Sequence, residues 1–396
     1  MTLARLRLKK REDRRIRSGH PWIYSNEIDT QITPLKNFTA GQEVIVEAND
    51  SSLLGVGYIN PNSLITVRML TRDANEVIDE IYFLKRITTA LTLRTQLFDK
   101  PFYRLVFAES DQLPGLVIDR FADNFVVQIN TAGMEAKTNM IVNALQQLFP
   151  DIKSILLKND SQIRVQENLS VKVEKAFGEV PDEVMLEENG VPFIAPLMNG
   201  QKTGWFYDHR PNRARLRQYV QDKRVLDVFS YAGSFGIQAA VYGASQVSCI
   251  EVSAEACAFI KRNAELNHVA DKVTIISDDA FDAMKKLVQE KQSFDVIILD
   301  PPAFVKKLKD KKEGLIAYQR LNELALKLLS ANGVLFSCSC SMHISMQDIC
   351  DLLKRAAYNT QTTIQILERG HQGADHPVHI AVPETDYLKA MVVRKI

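Results

Sequence analysis

The run Val225-Leu-Asp-Val-Phe-Ser-Tyr-Ala-Gly-Ser-Phe-Gly236 decides the fold of this chain. Its apolar start reads as a buried strand, and the glycines at 233 and 236 mark a turn into a helical pattern. One strand–helix–strand unit later, Cys249-Ile-Glu251 ends a second strand in an acid. Two further strands end in Asp300-Pro-Pro-Ala-Phe304 and Ser337-Cys-Ser-Cys-Ser341. Ligands of open α/β sheets sit beyond the carboxyl ends of the strands. The spacing therefore predicts that these motifs converge on one crevice.

Working outward, the pattern from about residue 186 alternates strand and helix. Strands are expected at 225–229, 246–251, 273–277, 294–299 and 333–338, with helices at 234–242, 253–267, 279–290, 315–330 and 345–358. Such alternation predicts a parallel sheet covered by helices on both faces. Segments 362–367 and 387–394 lack an intervening helix and are expected as an antiparallel edge. Toward the N-terminus, residues 1–72 read as short strands punctuated by Gly55, Gly57 and Pro61-Asn62, a β-barrel-like module. A helical stretch at 76–98 leads into an α+β segment ending near residue 176. That segment carries no obvious catalytic set and suits a spacer or an RNA-facing platform. The expected domains are 1–72, 73–185 and 186–396.

With 396 residues the chain exceeds one hydrophobic core, and its 46% hydrophobic and 24% charged content is ordinary for a globular protein. No apolar stretch approaches the roughly 18 residues of a membrane span, and the basic N-terminus lacks a signal core. Cysteines 249, 257, 338, 340 and 350 fit neither a disulfide framework nor a metal clip, so a cytoplasmic, reducing setting without a metal is expected. The net charge of +1 is uninformative, but its distribution is not. Eight Lys/Arg fall between Arg5 and Arg17, four arginines between Arg210 and Arg217, and five lysines between Lys306 and Lys312. Such clusters suit a phosphate backbone, with Arg17, Arg210, Lys306 and Lys307 as candidate contacts. Trp22, beside His20, could stack on a base.

A dinucleotide site wants GxGxxG so that backbone can approach a pyrophosphate. Here Phe229 and Tyr231 would crowd one. The turn instead suits S-adenosylmethionine, which has no phosphate. Asp227 would meet its ammonium and Glu251 its ribose hydroxyls, while Asp279 would accept from the adenine amine. The candidate cofactor set is thus Asp227, Phe229, Ser230, Tyr231 and Gly233, then Glu251, Val252 and Ser253, then Asp279, Ala280, Asp300 and Pro301. Helix capping is the plain alternative for Asp278.

Two methyl acceptors compete. An Asp-Pro-Pro motif serves enzymes that methylate exocyclic amines, usually with an aromatic directly after the second proline, but here Ala303 intervenes before Phe304. That reading makes the chain a guanine-N methyltransferase with an inert Cys340. Alternatively, carbon 5 of a pyrimidine becomes nucleophilic when a thiolate adds to carbon 6, which is covalent catalysis. Cys340 at a strand end would supply the thiolate, and Asp300 would hold the cytosine amino group. Lys306 and Lys307, with the sulfonium, would supply a positive setting. A non-catalytic RNA-binding assembly factor is the third reading.

On these motifs the chain resembles, over essentially its full length, the RlmI-like family of 23S ribosomal RNA 5-methylcytosine methyltransferases. Arg17-Ser-Gly-His-Pro-Trp22 is similar to that family's PUA opening, and Glu109-Ser-Asp-Gln-Leu-Pro-Gly-Leu-Val-Ile-Asp-Arg120 to its central signature. Lys202-Thr-Gly-Trp-Phe-Tyr-Asp208-His-Arg210 resembles an element that wraps the cofactor, adding Lys202, Thr203, Gly204 and Asp208 to the candidate set. Ser339-Cys340-Ser341 resembles the motif bearing the nucleophile, and Ala374-Asp375-His376-Pro377 is shared too. The resemblance implies an α/β chain with a PUA domain, a central EEHEE-type domain and a C-terminal Rossmann-like methyltransferase domain. It also implies S-adenosylmethionine as donor, 23S RNA or its large-subunit precursor as partner, and a homodimer. The second cysteine that many RNA cytosine-5 methyltransferases carry after the Asp-Pro motif is replaced by Pro302-Ala303. The base for the carbon-5 proton is therefore unassigned, with Asp375 and His376 as candidates.

Overall fold

The computed structural model describes residues 3–396, which pack as two units. The first runs to Val184 and adds Pro196–Tyr207 and Ala374–Thr385; the second comprises Met185–Ala195, Asp208–Gly373 and Asp386–Ile396. No helix among the described residues is long and apolar enough to cross a membrane.

In the first unit, β1 (Ala4–Arg7), β2 (Trp22–Tyr24), β3 (Gln42–Glu47), β4 (Leu53–Ile59) and β5 (Ile65–Thr71) form a sheet of order β1-β3-β4-β5-β2. Its core holds Leu6, Ile23, Val44, Val46 and Val67, the inward positions of alternating strands. The short β2 is hidden in sequence by Pro21 and two aromatics. A second sheet, β10-β9-β8-β7-β6, combines β6 (Phe102–Phe107), β7 (Leu116–Phe121), β8 (Asn124–Ile129), β9 (Ser154–Asn159) and β10 (Lys172–Gly178). Helices Glu80–Leu97 and Thr138–Leu148 supply Phe83, Ile87, Ile141 and Leu145 to its core. Asp79 caps the first of these helices by accepting from Tyr82 N at 3.0 Å.

A hairpin of β11 (Glu183–Glu188) and β12 (Val191–Pro196) turns at Asn189-Gly190, with φ of 55° and 81°. This is the Asn-Gly chemistry that favours a two-residue turn. It was legible in the sequence and falls outside the predicted elements.

The second unit is built on β13 (Arg224–Val228), β14 (Gln246–Ile250), β15 (Val273–Ile276), β16 (Phe294–Leu299), β17 (Leu329–Ser339), β18 (Ile364–His371) and β19 (Lys389–Lys395), in the order β15-β14-β13-β16-β17-β19-β18. The first five in that order are parallel, and β19 runs antiparallel to both neighbours. The mixed α/β architecture expected from the alternation is thus present, with one refinement. Strand β19 lies inside the sheet and β18 forms the edge, because Ala390–Val393 is apolar and buried on both faces while β18 is largely exposed. The helix before β17 also begins earlier than expected, at Lys311, inside the lysine run.

The arginine cluster is mostly structural. Arg213 is 1% exposed and both its Nε and Nη2 donate to Glu188, which also accepts from Gln238. Arg215 donates to Glu368, and the Arg210 Nε lies 3.7 Å from Glu188. Glu188→Ala would strand a buried guanidinium and is expected to cost about 3–5 kcal/mol in urea unfolding, whereas Glu188→Leu with Arg213→Met should cost far less. Equal losses in the two proteins would show that the ion pair is not what holds this corner.

Candidate functional site

The site grows from the switch between β13 and β16, where the chain leaves neighbouring strands toward opposite sides of the sheet. Register places Val228 beside Leu299, and the Asp300 amide points at the Val228 carbonyl at 3.4 Å. On the other flank Val228 pairs with Ile250, so Glu251 follows one position later. The carboxyl ends carrying Asp227, Glu251 and Asp300 are therefore adjacent by strand pairing.

The turn after β13 is tightly constrained. Phe229, Tyr231 and Gly233 have φ of 65°, 50° and 81°. Two non-glycine residues in the left-handed region store strain of the kind that clusters at ligand sites. The surrounding bonds hold it in place. Phe229 N and Ser230 N both donate to the Ile250 carbonyl at 3.1 Å, and the Ser230 hydroxyl donates to the Asp227 carbonyl at 2.8 Å. Tyr231 N donates to Glu251 Oε2 and Ser253 N to Glu251 Oε1, both at 2.9 Å. Glycine is required at 236 because a Cβ there would meet Cys249 Sγ at 2.6 Å and Asp227 Oδ2 at 3.1 Å.

Asp227 is 1% exposed, with Oδ2 accepting from Gly236 N at 2.9 Å and Oδ1 buried without a partner. Burial pushes its carboxyl up to about 7, with the charges of Asp300 and Glu251 adding to the effect. An orphaned, buried acidic oxygen beside a strained turn fits a cationic group of a bound ligand. Asp279, the residue assigned to the adenine amine, accepts from Phe281 N and Asp282 N through Oδ1 and so caps the next helix, the role weighed only for Asp278. Asp278 instead accepts from Asp279 N. Ala280 is buried in that helix's first turn, Ser253 caps the helix after β14, and Val252 is 71% exposed.

Aromatic contacts tie the motifs together. The Phe304 ring lies 6.5 Å from Phe229, 6.3 Å from Phe281 and 4.7 Å from Tyr318. The Tyr318 hydroxyl bonds Ser339 Oγ and Ser341 Oγ, each at 2.9 Å, and Val305 N donates to Ser341 Oγ at 3.3 Å. These bonds brace Cys340, which follows the last residue of β17 and whose thiol points at the buried Pro301 carbonyl at 3.9 Å. Cys338, one pleat deeper, is buried and its thiol is pushed well up by burial.

Asp300 has an unforeseen partner. His209 Nε2 lies 3.1 Å from Asp300 Oδ1, and His209 is 3% exposed. Arg215 donates to Asn212 Oδ1, and the Asn212 amino group lies 3.3 Å from His209 Nδ1. Burial opposes the imidazolium, but the Asp300 carboxylate, helped by Asp208, outweighs it and raises the His209 pKa. Asp208 accepts from the Tyr387 hydroxyl at 2.6 Å. His209 lay within a quoted motif, yet nothing in the sequence pairs it with Asp300.

The remaining candidates are placed as follows. Lys202 (φ 51°) sets its ammonium 5.0 Å from the Phe206 ring, and Thr203 and Gly204 are buried, all in the first unit. Also there, Arg17 donates to Asp13 and Ser52, His20 Nδ1 accepts from Trp22 N, and Trp22 Nε1 donates to Glu109 at 2.9 Å. Lys306 and Lys307 are exposed in the second unit. Asp375 and His376, the candidate bases, are 0% and 1% exposed within the first unit. Asp375 accepts from Arg104 N and His376, and its carbonyl accepts from Arg94, so the pair fastens its segment to that unit.

Comparisons with known proteins agree with this architecture. Residues 6–72 match the model of a PUA-like domain, and residues 213–360 match the family described as conserved hypothetical protein 95. The chain is 37% identical over 394 residues to ribosomal RNA large subunit methyltransferase I of Aliivibrio fischeri (strain MJ11), covering 98% of each chain. It is 35% identical over 395 residues to the protein of that name from Klebsiella pneumoniae (strain 342), again over 98% of each. A proposed SAM-dependent methyltransferase from Streptococcus mutans superposes with a TM-score of 0.83 at 21% identity, covering 99% of this chain and 100% of that one. At that identity the likeness is one of fold.

The raised Asp227 carboxyl has a signed consequence. Between about pH 4 and 7 the folded chain keeps a proton that the unfolded chain has lost. Stability therefore falls as pH rises through that window, by about 1.4 kcal/mol per pH unit at most, and this slope ends above it. Asp227→Asn should narrow the difference in urea-unfolding free energy between about pH 5 and about pH 8. An unchanged difference would show that Asp227 ionises normally.

Proposed function

Because the chain belongs to the ribosomal RNA large subunit methyltransferase I family, we propose that it forms 5-methylcytosine in 23S ribosomal RNA or its precursor, with Cys340 as nucleophile. The observation that carries the reading is the placement of the Cys340 thiol at the Pro301 carbonyl, directly beside Asp300. A group able to attack a base and a group able to hold its amine then follow the ends of two paired strands, β17 and β16.

S-adenosylmethionine, when bound, supplies an electrophilic methyl group. Asp227 would offer its buried oxygen to the donor's ammonium, Glu251 would accept from the ribose hydroxyls and Asp279 from the adenine amine. Phe229, Ser230, Tyr231 and Gly233 shape the turn, with Val252, Ser253, Ala280 and Pro301 beside it. Asp208 joins the set by family resemblance. Asp300 gives one oxygen to His209, which orients the carboxylate and leaves the other for the cytosine 4-amino group. The Cys340 thiolate would add to carbon 6, carbon 5 would take the methyl group as its bond to the sulfonium sulfur breaks to leave a neutral thioether, a base would remove the carbon-5 proton, and the thiolate would leave as the ring double bond returns. Arg17, His20, Trp22, Arg210, Lys306 and Lys307 would contact RNA, the first three from the PUA-like residues. A ribosomal substrate supports a cytoplasmic location.

Large-subunit RNA containing 5-fluorocytosine should trap a covalent complex, because fluorine cannot leave as a cation from carbon 5. Cys340→Ala should abolish both the trap and methyl transfer. Full methyl transfer by Cys340→Ala would replace this chemistry with methylation of a base nitrogen.

A further inference from the structure

Lys389 is a buried cation that the chemistry above does not use. It is 6% exposed, and its Nζ donates to the Ser341 carbonyl and to the Tyr387 carbonyl, each at 2.8 Å. No carboxylate lies within salt-bridge distance of it among the described residues, which is unusual for a lysine so enclosed. Its place is set by the sheet, since β19 pairs Lys389 with Ser339 of β17 on one side and with His371 of β18 on the other. The ammonium thus reaches along β17 past Cys340 to the carbonyl of the next residue.

The charges around it are few. From β17 and the residue that follows it the titratable neighbours are Cys338 and Cys340, and from β18 His371, whose Nδ1 meets the Gln372 carbonyl. Asp386, on the approach to β19, is exposed to water. Beyond Cys340, His343 lines the same 330 Å³ cavity as Lys389, and Asp348 is bound to Lys311 and to the Ser345 cap. Burial pulls the Lys389 pKa down to about 8, while Asp386, Cys340 and Asp348 pull it back up. Two of those anions are screened or already paired, so the anion Lys389 lacks is a thiolate at position 340.

We propose that Lys389 is a positioning residue whose ammonium stabilises the Cys340 thiolate for attack on the pyrimidine. This rests on the reading of Cys340 as nucleophile. The thiol proton passes to water, Lys389 keeps its own proton throughout, and the returning thiolate meets the same cation when carbon 6 releases it.

The test is the pH dependence of Cys340 alkylation by iodoacetamide in the full chain, followed by peptide mass spectrometry, with Cys257 and Cys350 as internal controls. Lys389→Gln keeps donors for the two carbonyls and removes the charge. It should raise the Cys340 midpoint by about one pH unit or more, slowing alkylation about tenfold near neutrality, and Lys389→Arg should restore it. The alkaline shift should appear equally in the pH profile of methyl transfer. An unchanged midpoint in Lys389→Gln, with Cys340→Ala inactive, overturns the role of Lys389 alone, whereas an active Cys340→Ala overturns the nucleophile itself. If Lys389→Gln does not fold, the coupling is read from the other partner. The NMR titration midpoint of the Lys389 Cε must fall in Cys340→Ser relative to the wild type, and equal midpoints overturn the proposal.

Discussion

Strand register across the second unit is the constraint on which the candidate site depends. Val228 lies beside Leu299, Leu299 beside Ser337, and Ser339 beside Lys389. Each pairing fixes which residue first emerges from the sheet. A slip of one position would turn every side chain to the other face. The buried runs Val225–Val228, Phe294–Leu299 and Val334–Cys338 oppose such a slip, because every alternative register exposes apolar area. Chemistry-bearing residues then need only follow the last buried one.

Two kinds of strain and desolvation collect where those strands end. The turn at Phe229–Gly233 holds left-handed backbone at residues that disfavour it, and Asp227 keeps an unsatisfied oxygen out of water. Neither feature helps folding. Both become favourable once a cationic ligand meets the oxygen and covers the turn. The same logic applies on the other side of β16, where His209 meets Asp300 and Lys389 lies buried without a carboxylate. The dry interior itself favours the neutral carboxyl of Asp227, whereas it opposes the charges on His209 and Lys389, which their neighbours offset.

Much of this was legible in the sequence. The strand ends of β13, β14, β16 and β17 could be read because apolar runs give way to polar residues near Asp227, Glu251, Asp300 and Cys340, and a parallel sheet brings such ends together. What could not be read were contacts made across long sequence separation. His209 reaches Asp300 and Lys389 reaches Ser341 only because the chain returns to those positions in space. Local charge density also misled, since Arg213 and Arg215 look like a nucleic-acid surface and are instead spent on Glu188 and Glu368. The Asn189-Gly190 hairpin and β2 were missed for another reason, being short elements whose signals are local turns and not periodicity.

The central claim is that a sulfur–carbon bond at carbon 6 makes carbon 5 the methyl acceptor. Large-subunit RNA carrying tritium at carbon 5 of cytidine tests it most directly. Tritium should appear in water in a one-to-one ratio with methyl groups incorporated, and neither should occur with Cys340→Ala. Methyl incorporation without tritium release would place the new bond on another atom and contradict the account.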